Sequence, residues 1–222
     1  MSNNECFDFK FYEWEKKFHD RPFLRQPFGN QWEEYTWAEA GKMARKLATG
    51  LKSLGLRDNA HIGLISKNCR EWIIADMAIM MAGYVSVPFF PSLRGEELKY
   101  LLDFGDVDLL FVGKIETWGD IESHLPKEFP LIRFPHYKSC SVVDRGEEWF
   151  DFINKYDPLQ EIHVPKLTDL WTIIFTSGTT GNPKGVELSY LALDSTKIIT
   201  EQVNPLKIDF SGNNDFISYL PL

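Results

Sequence analysis

Between His61 and Val112 short apolar runs alternate with longer helical ones, and that alternation constrains the fold more than any other feature. His61 to Ser66 is a short apolar stretch that suits a strand. Asn68 and Glu71 mark a helix start. Trp72 to Ala82 is apolar nearly all round, broken only by Asp76, and Gly83 ends it. Tyr84 to Pro88 alternates as a strand does. Glu96 to Phe104 is the next helix, with Leu98, Leu101 and Leu102 on one face, and Leu109 to Val112 the next strand. Strand, helix, strand, helix, strand predicts right-handed crossovers between parallel neighbours. The fold class expected is α/β, a mainly parallel sheet flanked by helices.

Trp72 to Pro91 also has the dimensions of a membrane span, being twenty residues long with one charge. Gly83, Ser86, Pro88 and Pro91 break it into a helix and a strand, so a buried helix is the better reading. Upstream, Phe9 to Phe18 predicts a short helix. Arg21 to Trp32, with Pro22, Pro27 and Gly29, predicts a loop or hairpin. Thr36 opens a clear helix. Glu39, three residues on, completes a capping box, and Trp37, Ala40, Ala44, Leu47, Leu51 and Leu54 recur at helical spacing up to a C-capping Gly55. Downstream the signals weaken. Ile115 to His124 predicts a helix, Leu131 to Phe134 a strand, and Asp144 to Tyr156 a helix on a solvated face. Pro158 and Pro165 bracket a connection, Ser189 can cap a helix running through Thr200 with Leu193, Ile198 and Ile199 buried, and Phe210 to Asn214 predicts a turn.

The chemistry concentrates in Thr172 to Leu188. Thr172 to Phe175 are β-branched, apolar and aromatic, which favours a strand. Thr176, Ser177, Gly178, Thr179, Thr180, Gly181 and Asn182 then carry no large apolar side chain, and Pro183, Lys184 and Gly185 follow. Glycines let a backbone approach a ligand closely, and exposed N–H groups cradle an anion. Four hydroxyls, on Thr176, Ser177, Thr179 and Thr180, add donors, and Lys184, in a Gly/Pro-flanked loop, adds a full positive charge. The alternative is a plain polar hairpin loop, the usual meaning of such clusters. The combination of hydroxyls, glycines and lysine favours a polyphosphate site. Neither the Walker A pattern nor G-x-G-x-x-G fits: Pro183 stands where the former needs glycine, and Gly185 where it needs Ser/Thr.

A net charge of −8 argues against general nucleic-acid binding but not against one nucleotide at a local cationic loop. Cys6, Cys69 and Cys140 are widely spaced, odd in number and form neither a disulfide framework nor a metal pattern. The five histidines show no ligand spacing. MSNNECFDFK is no signal peptide, so the cytoplasm is the default, with peripheral contact at a membrane left open.

The string Thr176 to Gly185 closely resembles the AMP-binding signature of the adenylate-forming superfamily, which includes acyl-CoA synthetases, firefly luciferase and the adenylation domains of peptide synthetases. GYVSVPFFPSLRGEELKYLL also resembles the corresponding stretch of acyl-CoA synthetases, more loosely. The resemblance implies a loop that holds the β- and γ-phosphates of ATP while a carboxylate attacks the α-phosphate. It assigns Lys184 to a phosphate oxygen, Thr176, Ser177, Thr179 and Thr180 to hydroxyl donation, and Gly178 and Gly181 to close backbone approach. It implies ATP, Mg²⁺ and CoA, a carboxylic acid partner of the long-chain fatty type, and transfer of the acyl group to CoA. A carrier-protein acceptor and a standalone nucleotide-binding or interaction module are the alternatives. Tyr190 stands where the family commonly has histidine, and FISYLPL at the end resembles the family's strand leading into the acyl pocket. The resemblance spans the first half or less of a typical member. The expectation is therefore the N-terminal part of a longer enzyme: a scaffold over 1–170, an incomplete second unit over 171–222, no catalytic residue or metal ligand within these residues, and no activity of this part alone.

Overall fold

A computed structural model describes residues 6–176, 183–205, 207–209, 211 and 216–218. The elements run α1 (Phe11–Lys17), β1 (Pro22–Phe28), β2 (Gln31–Thr36), α2 (Trp37–Ser53), β3 (His61–Ile65), α3 (Arg70–Ala82), β4 (Val85–Phe89), α4 (Gly95–Phe104), β5 (Val107–Val112), α5 (Trp118–His124), β6 (Leu131–Arg133), β7 (Glu147–Glu148), α6 (Trp149–Ile153), β8 (Leu170–Thr176), β9 (Lys184–Ser189) and α7 (Tyr190–Gln202). Arg21 to Trp32 resolves as a hairpin, with β1 antiparallel to β2. The other strands lie in the order β7-β6-β5-β3-β4-β8-β9, seven among the described residues. Neighbours are parallel except β8 and β9, which pair antiparallel. The expected α/β class holds.

Each strand sends alternate side chains to two cores. Ile62 and Leu64 of β3 join Leu109 and Phe111 of β5 beneath α2 and α3, where Ala44, Leu47, Leu51, Ile74 and Ile79 pack. On the opposite face Val85, Val87, Leu110 and Val112 meet Leu98, Leu101 and Leu102 of α4 and Ile121 of α5. Burying each such side chain is worth about 1.5–3 kcal/mol, so the two-sided burial dominates stability. α3 is buried almost all round because it is pressed between the sheet and α2. No helix among the described residues is long and apolar enough to cross a membrane.

The local rules hold where the sequence was explicit. Thr36 Oγ1 accepts from the Glu39 N–H at 3.1 Å, and the Thr36 N–H donates to Glu39 Oε2 at 2.8 Å, closing the capping box. Gly83 takes φ 81° at the end of α3. A Cβ there would also lie 3.1 Å from the His163 ring, so glycine is required twice over. Buried Glu71 accepts from Arg70 Nε at 3.0 Å and from the Tyr137 hydroxyl, and Arg70 reaches Glu33 at 2.8 Å, tying α3 to the β1–β2 hairpin. Two expectations fail. The Asp144–Tyr156 stretch is not a solvated helix: only Trp149–Ile153 is helical, and Trp149, Phe152 and Ile153 are buried. Its acidic residues face out while the Phe152 ring packs against Gly50 of α2. In α7, Ile198 and Ile199, expected to be buried, are exposed.

Candidate functional site

β8 carries the candidate loop to the edge of the sheet. Its burial alternates, with Ile173 and Phe175 inside and Ile174 and Thr176 outside. Phe175 is the last anchored side chain before the loop. Its ring stacks almost parallel on Phe89, centroids 5.9 Å apart at 7°, and leans on Phe104 at 5.9 Å and 54°. Thr172, at the other end, is buried, and its Oγ1 donates to the Ser86 carbonyl at 2.8 Å.

The return strand registers Thr176 against Lys184, Phe175 against Gly185 and Ile174 against Val186. Lys184, expected in a loop, thus opens β9 and pairs with the last residue of β8. Gly185 lies over the Phe175 ring: a Cβ there would sit 3.2 Å from Ile173 Cγ2 and 3.3 Å from Phe175 Cε1, so glycine lets the strands close. Directly opposed residues send their side chains to the same face, with Cβ atoms about 4.5–5.5 Å apart. Thr176 and Lys184 are therefore neighbours on one solvent-open face. Thr176 Oγ1 also donates to the Lys184 carbonyl in a long, 3.5 Å contact. Lys184 has no ion-pair partner among the described residues, so its ammonium is available to an anion.

Of the residues singled out in sequence, Thr176 and Lys184 are brought together. Ser177, Gly178, Thr179, Thr180 and Gly181 lie outside the described residues, as do most of Phe210 to Asn214 and the end of FISYLPL. Tyr190 is a core residue, 2% exposed, packed on Phe7 at 5.3 Å, with its N–H donating to the Asp169 carbonyl. Burial first, then the charges of Asp76 and Asp169, raise its hydroxyl pKa. Ser189 stands at the N-cap of α7 without a side-chain capping bond. No group of three His, Cys, Asp or Glu side chains that could hold a metal occurs among the described residues. The Thr–Lys pair suits a polyphosphate: one hydroxyl and one cation with no ion-pair partner among the described residues, on a face open to solvent.

Sequence reasoning missed the bond at the start of this hairpin, where Thr172 Oγ1 donates to the Ser86 carbonyl on β4.

The fold defines a class, an α/β protein with a mainly parallel sheet and an antiparallel strand pair at its edge, β8 and β9. The chain belongs to the AMP-binding enzyme family, which matches residues 11–222. It is 26% identical over 221 residues to the mouse long-chain-fatty-acid–CoA ligase ACSBG2, covering 96% of this chain and 33% of that one. It is 32% identical over 200 residues to the peroxisomal long chain acyl-CoA synthetase 6 of Arabidopsis thaliana, covering 84% and 27%. The chain thus spans about a third of the length of these relatives. Among solved structures, the anthranilate CoA ligase AuaEII in complex with anthranoyl-AMP superposes with a TM-score of 0.74 at 22% identity, over 86% of this chain and 36% of that one. A Brucella canis acyl-CoA synthetase superposes with a TM-score of 0.71 at 16% identity, over 90% and 37%. At these identities the superpositions establish the shared fold.

Proposed function

We propose that this chain is the N-terminal part of an AMP-forming acid:thiol ligase that activates a long-chain fatty acid with ATP and passes the acyl group to CoA. The observation that carries the proposal is the Thr176–Lys184 pair, held side by side at the mouth of the family's signature loop. The names of the mouse and Arabidopsis relatives support the long-chain acid and CoA.

ATP supplies an electrophilic α-phosphorus and pyrophosphate as its leaving group. The role of this chain is placement and charge neutralisation, which dominate phosphoryl-type transfer. Lys184 offsets negative charge on a phosphate oxygen and Thr176 donates from its hydroxyl; Ser177, Gly178, Thr179, Thr180 and Gly181, which lie outside the described residues, are the further donors this reading calls on. Phe175 and Gly185 hold the two strands in register, and donors fixed in place beforehand are the most effective. In this reading the CoA and Mg²⁺ sites lie largely outside these residues, and this part alone is expected to form no acyl-CoA.

The test is product analysis on the complete enzyme with ATP, a long-chain fatty acid and CoA. Equal amounts of AMP and acyl-CoA, neither formed without the acid, are expected. AMP without acid dependence, or acyl transfer to a carrier protein and not to CoA, would overturn the assignment.

A further inference from the structure

Beyond the Phe175 stack, β8 meets β4 at one register position, and β9 is the last strand of the sheet among the described residues. The direction of the hairpin therefore depends on what holds its base. There Leu170 pairs with Ser189, and Tyr190 follows at once, opening α7. Against this junction lies a strap formed by residues 6–9. Cys6 bridges Lys166 in antiparallel pairing, and the Phe7 N–H donates to the Pro165 carbonyl at 2.8 Å. The Phe7 side chain is 6% exposed and packs on the Tyr190 ring, centroids 5.3 Å apart at 39°. With Met80 of α3 these two rings form a small core of their own, against which Trp171 of β8 and Leu193 of α7 pack. Phe9 stacks on Phe11 at 5.6 Å, and Phe11 lies 5.4 Å from Trp37, the first residue of α2. The strap thus joins α2 and α3 to the point where β9 becomes α7.

We propose that Phe7 is a positioning residue: by packing on Tyr190 it fixes the angle at which the β8–β9 hairpin leaves the scaffold, and so where Thr176 and Lys184 meet a phosphate. The proposal rests on the reading of this hairpin as the phosphate-holding element. β9 is six residues long, about 17 Å from end to end at ~3.4 Å per residue. A tilt of about 3–4° at Ser189 therefore carries Lys184 about 1 Å, a displacement that can cost up to about 10²-fold in rate. The ring, and not charge, does the holding. Asp8 also reaches Lys197 of α7, but at 3.9 Å, with Asp8 52% exposed and shared with Lys10 at 2.9 Å, an arrangement worth little.

Hydrogen–deuterium exchange on the complete enzyme reads the strap without any nucleotide. Wild type, Phe7→Ala and Phe7→Leu are compared, with β3 and β5 as internal references. In Phe7→Ala, protection over 170–176 and 184–189 is expected to fall about tenfold, the upper end of what one aromatic pairing carries, while β3 and β5 keep theirs. Phe7→Leu, which keeps most of the volume, should restore most of that protection. Hairpin protection equal to wild type in Phe7→Ala, or an equal loss in β3 and β5, would overturn the strap. Kinetics separate positioning from mere loss of folded enzyme, which lowers kcat and leaves KM where it was. KM for ATP in Phe7→Ala should rise about tenfold, with KM for the fatty acid unchanged and Phe7→Leu restoring the wild-type value. A fall in kcat alone, or a loosened hairpin with a wild-type KM for ATP, would refute the positioning role. Should Phe7→Ala fail to fold, Phe7→Val decides by the same two readouts: reduced hairpin protection with a raised KM for ATP is expected, and wild-type values refute the proposal. The phosphate reading is tested separately by Lys184→Ala, which leaves the strap intact, so the two failures are distinguishable.

Discussion

Phe175→Ala should loosen the candidate hairpin and cost the chain about 3 kcal/mol of unfolding free energy, the lower end of the range for a buried Phe→Ala change. β8 meets β4 at one register position, Ser86 against Thr172, near its start. Its far end is held chiefly by Phe175, 7% exposed and stacked on Phe89. Removing the ring forfeits most of its burial energy and an aromatic pairing worth about 0.5–1.5 kcal/mol. The loss stays at the low end because Phe104, 56% exposed, has room to lean into the gap. Phe175→Leu keeps most of the volume and should cost less than about 1.5 kcal/mol. Urea unfolding of both variants and the parent, with m-values compared, measures the difference. A Phe175→Ala loss below about 1 kcal/mol at unchanged m would show that the hairpin is held by something other than this stack, and the positional argument for Thr176 and Lys184 would lose its footing.

Thr36→Ala removes one arm of the α2 capping box and should cost about 1 kcal/mol in the same assay, whereas an unchanged midpoint would mean the cap contributes nothing. Burial and the nearby Glu71 charge push the Cys69 thiol up to about 12, whereas Cys6 is exposed. At pH 8 a thiol reagent should label Cys6 rapidly and leave Cys69 untouched until the chain unfolds, because the thiolate is the reactive form. Rapid labelling of Cys69 in the native protein would contradict its burial at the N-cap of α3.

The parts of this fold legible in sequence are those whose causes are local. Thr36 and Glu39 announce α2, Gly83 announces the end of α3, and the apolar runs at β3, β4 and β5 need both faces of a sheet covered. The β1–β2 hairpin was ambiguous because Pro22 and Pro27 mask strand character, and pairing with Gln31 to Thr36 is what decides it. α6 was misread because Trp149, Phe152 and Ile153 sit among Glu147, Glu148 and Asp151, and the acidic signal hides a three-residue apolar face. Ile198 and Ile199 have helical spacing but no apolar surface opposite them among the described residues, so periodicity alone placed them wrongly. At the site, Thr176 and Lys184 were legible by type, but their cross-strand pairing was not. The Ser86–Thr172 contact joins two strands distant in sequence and leaves no local trace.

The central claim is that Lys184 neutralises phosphate charge at the mouth of this loop. Acid-dependent ATP–pyrophosphate exchange by the complete enzyme, wild type against Lys184→Ala, tests it directly. Loss of one fixed donor to developing charge predicts a fall of about 10²–10³ in rate. Lys184 is exposed and fills no core position, so stability should stay within about 0.5 kcal/mol. An exchange rate equal to wild type would remove Lys184 from the chemistry and contradict the account.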